Sequence, residues 1–200
     1  RTSLALALTG RLPLSGGTIS WSEGDDEPRP ISMKRLRALS SVVDSPDVTA
    51  PEQHMRVHDY VSEMLSYNLP IFGRSRASRW FAERGLEELD GLWMDEISGE
   101  MNIELMAALA QHSPSDLLVF DTPSRHLNHT YMWLPYLEEL AADEDHPRTV
   151  VAVVPHISES WHGARAVVGR APEENVPAPV EGEIEPSNDS PEHGENAEKE

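Results

Sequence analysis

The chain has 200 residues, a formal net charge of −19, 16 prolines and no cysteine, a length that accommodates one domain with a sizeable core, or one domain and a tail. Lack of cysteine excludes a disulfide framework and a thiolate metal site and suits a reducing compartment. The acidity disfavours nucleic acid or anionic lipid held by a broad basic patch, yet it leaves room for a local anion site of backbone N–H groups.

Leu4, Ala5, Leu8 and Leu12 predict a helix over residues 2–12, stopped by Pro13 and Gly16-Gly17. Thr18 to Trp21 reads as a short strand and Ser22 to Pro30 as a polar loop. Residues 31–43 carry a basic patch and end in a β-branched run, Ser40 to Val43, with the character of a buried strand. From Met55 to about Met94 the apolar residues recur at helical spacing, with a break at Pro70 and Gly73 and a second helix over Ala77 to Arg84. A helix is expected over Met101 to Ala110, a strand over Leu117 to Phe120, a helix over Tyr131 to Ala142 and a last strand over Thr149 to Val154. The two late strands are continuous apolar runs, the mark of strands covered on both faces, so helices alternating with them imply a parallel sheet.

Residues 171–200 hold ten acidic groups, one lysine and five prolines, a net −9, which leaves −10 for residues 1–170. Apolar groups there are too sparse to offset chain ordering, and disorder is expected. No apolar run approaches the roughly 20 residues of a membrane-spanning helix, and Leu4 to Leu8 lacks a signal-peptide cleavage pattern. The opening Arg1, in place of methionine, reads as a missing natural N-terminus.

Asp121 and His156 close two buried parallel strands, which predicts that they lie near one another at the carboxyl edge, where open α/β sheets bind ligands. An Asp in that position can hold Mg²⁺ through water.

In this order, RTSLALALTGRLPLSGGTISW at 1–21, ISGEM at 97–101, DLLVFDTP at 116–123 and VVAVVPH at 150–156 resemble the ATPase domain of ATP-binding cassette (ABC) proteins over about residues 1–165. The resemblance implies an α/β P-loop NTPase fold with a mostly parallel sheet, an inserted helical subdomain at about 57–96 and a disordered acidic tail. In its register Arg1 stands at the phosphate-binding lysine, Thr2 at the Mg²⁺-ligating hydroxyl and Ser3 beside it. Ile97, Ser98, Gly99 and Glu100 stand at the signature loop that reaches a nucleotide held by a second domain, with Glu100 replacing a glycine. Asp121 matches the Walker B aspartate, Thr122 falls at the catalytic glutamate, Asn128 at the D-loop aspartate, His156 at the switch histidine and Asp44 roughly at the Q-loop glutamine, a further metal-side position.

What the resemblance implies is an ATP- and Mg²⁺-binding subunit of an ABC transporter-like complex, cytoplasmic and peripheral at the inner face of the cell membrane. Its partners are a second ABC ATPase domain and a transporter membrane subunit, with no nucleic acid. Threonine cannot act as the base that glutamate supplies, a role worth on the order of 10²–10⁴ in rate, and Arg for Lys exchanges a compact ammonium for a planar fork. Binding is therefore expected with impaired hydrolysis.

Plainer readings stand beside these. Asp121 serves equally as a strand-end cap, His156 as an exposed histidine, Ser98-Gly99 as a turn. DLLVFDTP also resembles the partition or septum-site ATPases, which leaves ISGEM unexplained, and the whole chain also reads as a non-enzymatic ABC-like interaction protein.

Overall fold

The computed structural model describes residues 1–24, 26–68, 77–127, 129–158 and 161–169. The acidic segment 171–200, Asn128 and the break at Pro70 and Gly73 lie outside them. Arg1–Trp161 forms one unit, and residues 162–169 contain no helix or strand.

The sheet is built as the apolar runs dictate. β3 (Ser40–Val43), β4 (Leu117–Asp121) and β5 (Thr149–Val153) lie parallel in the order β3-β4-β5, with Val43 beside Phe120, and Phe120 beside Ala152. Every residue of the central β4 is buried. Period-two alternation divides its side chains between two cores. Leu117 and Val119 join Val42 and Val153 beneath α1 (Thr2–Leu8) and α2 (Met33–Leu39), while Leu118 and Phe120 join Val43 in the larger core with α3 (Val57–Asn68), α4 (Ala77–Arg84), α5 (Gly99–Gln111) and α6 (Thr130–Ala141). The result is a three-layer α/β arrangement with helices on both faces of the sheet.

Three elements depart from the sequence reading. α1 ends at Leu8 and does not reach Leu12, because Gly10 takes a left-handed φ of 67° and the Thr9 hydroxyl donates back to the Ala5 carbonyl at 2.9 Å. Residues 33–39, where no helix was expected, form α2, whose cap is Ser32: its side chain accepts from the Arg35 amide. The predicted polar loop contains β2 (Arg29–Pro30), paired antiparallel with β1 (Ser20–Trp21).

Two outcomes follow from this packing. Leu118 is fully buried at the centre of the sheet, so Leu118→Ala should lower unfolding free energy by about 2–5 kcal/mol, read from the urea midpoint at unchanged m-value. At the end of α5, burial and then Arg84 hold the His112 imidazole below its ordinary value of 6.5, and its Nε2 is buried without a hydrogen-bond partner among the described residues. The unfolded chain then binds the extra proton first, so this contribution is complete above about pH 6.5 and lost as pH falls through the folded value. His112→Gln should flatten that part of the stability–pH curve relative to the parent chain.

Candidate functional site at the carboxyl edge of the sheet

β3 and β4 end in the same way. Immediately after β3, Asp44 adopts a φ of 54°, and immediately after β4, Thr122 adopts a φ of 61°. Left-handed backbone is unfavourable for non-glycine residues and most of all for a β-branched one. Two such turns side by side need a surrounding network to hold them.

That network is polar and buried. The Asp44 carboxylate, in a residue 3% exposed, is hydrogen-bonded to His126 Nε2 at 2.6 Å and forms an ion pair with Arg125, whose Nη2 lies 3.1 Å away. Arg125 also donates to the backbone carbonyls of Asp44 and of Asp121, tying the ends of β3 and β4 together. The other ring nitrogen of His126, Nδ1, lies 3.0 Å from the Asn102 side-chain amide of α5. The carboxylate on one side and the amide on the other hold the imidazole in one orientation.

Asp121 lies in the neighbouring compartment and is 1% exposed. Its Oδ2 accepts from the Ser45 hydroxyl at 2.9 Å and its Oδ1 from the Thr122 hydroxyl at 3.1 Å. Thr122 is further fixed by its amide, which donates to the Val153 carbonyl at 2.9 Å. Burial and the negative charge of Asp44 push the nearby Tyr60 phenol well above its usual range, with Glu63 adding to both; its hydroxyl donates to the Thr49 carbonyl at 2.8 Å.

The signature-like segment meets this network from α5. Ser98 caps the helix, its Oγ accepting from the Met101 amide at 3.2 Å, and Glu100 lies in the first turn, where a carboxylate suits the helix dipole. Gly99 is required by contact. A Cβ at this position would collide with the His126 carbonyl. Ile97 packs against the larger core, while Ser98 and Glu100 are exposed.

The remaining sequence-predicted positions are placed differently. Arg1 occupies the N-cap position of α1 without a side-chain cap, its carbonyl accepting from the Leu4 and Ala5 amides, and Thr2 and Ser3 form the first turn. No described hydrogen bond joins these three side chains to Asp44, Asp121 or Thr122. Strand register puts Asp121 beside Val153, three residues before His156. His156 is exposed and lines a small pocket of about 280 Å³ with His129, Tyr131 and Trp161; no described hydrogen bond links it to Asp121.

The two carboxylates expected on the metal side have internal partners of different kinds. Asp44 is paired with Arg125 and hydrogen-bonded to His126, and the oxygens of Asp121 accept from two hydroxyl groups. Among the described residues no cluster of three or more acidic or histidine side chains could hold a metal ion. Sequence reading missed Ser45, Asn102, Arg125 and His126. The available signal was the pair Arg125-His126 in the run after Asp121, since a buried strand-end carboxylate such as Asp44 needs counter-charge.

A second feature lies along the outer edge of β3. A cleft of about 1230 Å³ runs from Arg11 and Arg37 at the amino end of the strand, past Ser41 and Asp44, to the loop after β3 and α3. Val48, Tyr67 and Trp93 expose apolar surface into it, being 50%, 73% and 38% accessible.

A solved structure shares this fold. A protein described as an ABC transporter ATP-binding protein from Pyrococcus furiosus superposes with a TM-score of 0.53 over 79% of this chain and 74% of its own, at 13% identity. The chain therefore has the α/β P-loop NTPase fold of ABC ATP-binding domains, as expected from its sequence. Weaker likenesses are to a metal-chelate type ABC transporter in an inward-facing conformation (TM-score 0.40, 19% identity, 57% of this chain and 48% of that one) and to RNase-L inhibitor (TM-score 0.42, 15% identity, 76% and 26%), both too distant to define a shared fold. No protein-family model matches the chain, and no curated protein matches it. Among the described residues no helix is long and apolar enough to cross a membrane.

Gly99→Ala should destabilise the chain by about 1–3 kcal/mol through overpacking against His126. The control is Gly91→Ala, whose added Cβ meets nothing within 4 Å; it should stay within about 0.5 kcal/mol of the parent. Equal thermal shifts in the two variants would contradict the contact.

Proposed function

We propose that this chain is the nucleotide-binding subunit of an ABC transporter-like assembly, binding ATP with impaired hydrolysis. The observation that carries the reading is the direct packing of Gly99, in the signature-like ISGEM, on His126, in the segment after Asp121 and Thr122. Two motifs identified separately in sequence thus meet in one site on a fold shared with ABC ATP-binding domains. In this reading Arg1, Thr2 and Ser3 face the phosphates, and Ser98 and Gly99 present the amino end of α5 to a nucleotide on a second such domain. His156 contributes from the end of β5.

Thr122 accounts for the slow chemistry. Its hydroxyl donates to Asp121 and its side chain offers no base for an attacking water. Mg²⁺, which assists ABC ATPases by screening phosphate charge, would enter only if Asp121 gave up a hydroxyl partner.

The cleft beside β3, flanked by α3 and bearing exposed Trp93 and Tyr67, supplies the docking face for the membrane subunit. A second domain of the same kind completes the nucleotide site. The full engagement of Asp44 and Asp121 in internal bonds also favours a second reading, a non-enzymatic interaction protein that retains the fold without using nucleotide.

Calorimetry with ATP separates them. Saturable binding that is weakened at least tenfold by Asp121→Asn, with phosphate release barely above background, supports the nucleotide-binding reading. Absence of heat at millimolar ATP, for a sample shown to be folded, supports the interaction protein. Thr122→Glu should raise phosphate release by up to about 10²-fold. Glutamate is not β-branched, so the left-handed backbone at this position tolerates it at least as well as threonine.

A further inference from the structure

The end of α1 rests directly on α2. A Cβ added at Gly10 would lie 2.6 Å from the Met33 carbonyl oxygen and 3.1 Å from the Arg37 amide nitrogen, so Arg11, the next residue, leaves the backbone beside the last turn of α2. Its guanidinium is fixed there. Nη1 donates to the Thr9 carbonyl at 3.0 Å and to the Ser40 hydroxyl at 3.3 Å, and Nη2 donates to the Ser40 carbonyl at 3.0 Å. Three of the five N–H groups of a guanidinium are thereby used, all on uncharged acceptors. Nε–H and the second N–H of Nη2 have no partner among the described residues. Arg37, in the last turn of α2, is exposed, and its side chain enters no ion pair or hydrogen bond among the described residues; the same holds for Lys34 one turn earlier. The third cation of this helix, Arg35, is paired with Glu23 at 3.3 Å. Burial and then the charge of Arg37 hold the Arg11 guanidinium below its ordinary value, and no carboxylate acts against them.

We propose that Arg11 and Arg37 form a binding site for a dianionic oxyanion of the phosphate class, free or carried on a small molecule. Arg11 is the preorganised half of the site: its own bonds already hold the guanidinium, so the N–H groups left over meet an oxygen ligand with little further ordering, and guanidinium geometry matches phosphate oxygens. Arg37 supplies the second charge from an exposed position and turns toward the ligand when it arrives. Two neighbouring guanidinium groups without a counter-ion repel one another in a half-buried setting. A dianion neutralises both, whereas a monocarboxylate neutralises one. The site is separate from the carboxyl edge of the sheet, because Ser40 opens β3 and Asp44 follows its last residue, about 13 Å away at the usual strand rise. The net charge of −19 repels extended polyanions, so a single small group, and neither a nucleic acid nor an anionic membrane, is the occupant.

The probe is inorganic phosphate, titrated into the full chain at constant ionic strength and at a pH where it is the dianion, while the Arg11 Nε–H resonance is followed by NMR. Chloride, acetate and glycerol phosphate are the other arms. Phosphate should shift the resonance saturably, and acetate should bind about fivefold more weakly or worse. Glycerol phosphate binding more tightly than inorganic phosphate identifies an esterified ligand, and the reverse order a free ion. Arg37→Gln should weaken phosphate by about fivefold or more, whereas Arg35→Gln, which removes an already paired cation from the same helix, should leave it within about twofold. Both positions are exposed, so an unchanged urea midpoint in each variant shows that loss of binding is not loss of fold. A shift that does not saturate, or that chloride reproduces, would overturn the site, and so would equal weakening by the two variants. Acetate binding as tightly as phosphate would overturn the assignment of a dianion.

Discussion

The shared Asp44 carboxylate is the constraint on which the rest of the site depends. It is buried, and burying a charge is unfavourable unless partners replace its water. Arg125 and His126 do so from the segment after β4, and Arg125 also collects the carbonyls that end both strands. The ends of β3 and β4 are thereby fixed relative to one another, and the left-handed turns at Asp44 and Thr122 are held against their own preference. Net stabilisation by such a buried pair is modest, because desolvation offsets much of the attraction. What it determines is geometry: the position of the loop after β3, the orientation of the imidazole and the floor beneath Gly99.

Asp121 is maintained by different chemistry. Two hydroxyl donors satisfy it without a counter-charge, one from its own neighbour Thr122 and one from Ser45 across the sheet. Hydroxyls rotate, so they can be exchanged for water or a ligand at small cost, whereas the Arg125 fork cannot. The two carboxylates at one sheet edge therefore differ in availability. Asp44 is a structural strut, and Asp121 is the group able to change partners.

Much of the framework was legible in the sequence because a parallel strand buried on both faces is written as an unbroken apolar run, as Leu117 to Phe120 is; the run Thr149 to Val154, expected to be buried in the same way, forms the edge strand β5, of which only Val153 is buried. Ser98-Gly99, read locally as a turn ahead of a helix from Met101, is instead the cap and first residue of α5. The short elements were not legible. α2 lies in a basic stretch with only Leu36 fully buried, so its helical period is weak, and α1 ends early because of a backbone angle at Gly10 that apolar spacing does not encode. Within the site, Asp121, Thr122 and Gly99 could be singled out from their order along the chain. Ser45 and Asn102 could not, since their roles come from contacts across 76 and 24 positions respectively, and a serine or asparagine in isolation carries no such message. Asp44 was found as a position: sequence order placed it at the strand end, while its partners Arg125 and His126 become visible only when β3 and β4 pair.

α5 spans 13 residues, about 20 Å at the usual helical rise. At one end Gly99 and Asn102 touch His126, and at the other Arg84 reaches Gln111 and Arg148 caps the Ala110 and Ser113 carbonyls. A stiff rod held at both ends transmits strain between them. A tilt of about 5° at the Gly99 end would carry the far end through nearly 2 Å over that length, so the contacts of Gln111, Ala110 and Ser113 resist any tilt begun at His126. Mechanical stiffness thus couples the sheet edge to the Arg84 end of α4, although they share no side chain.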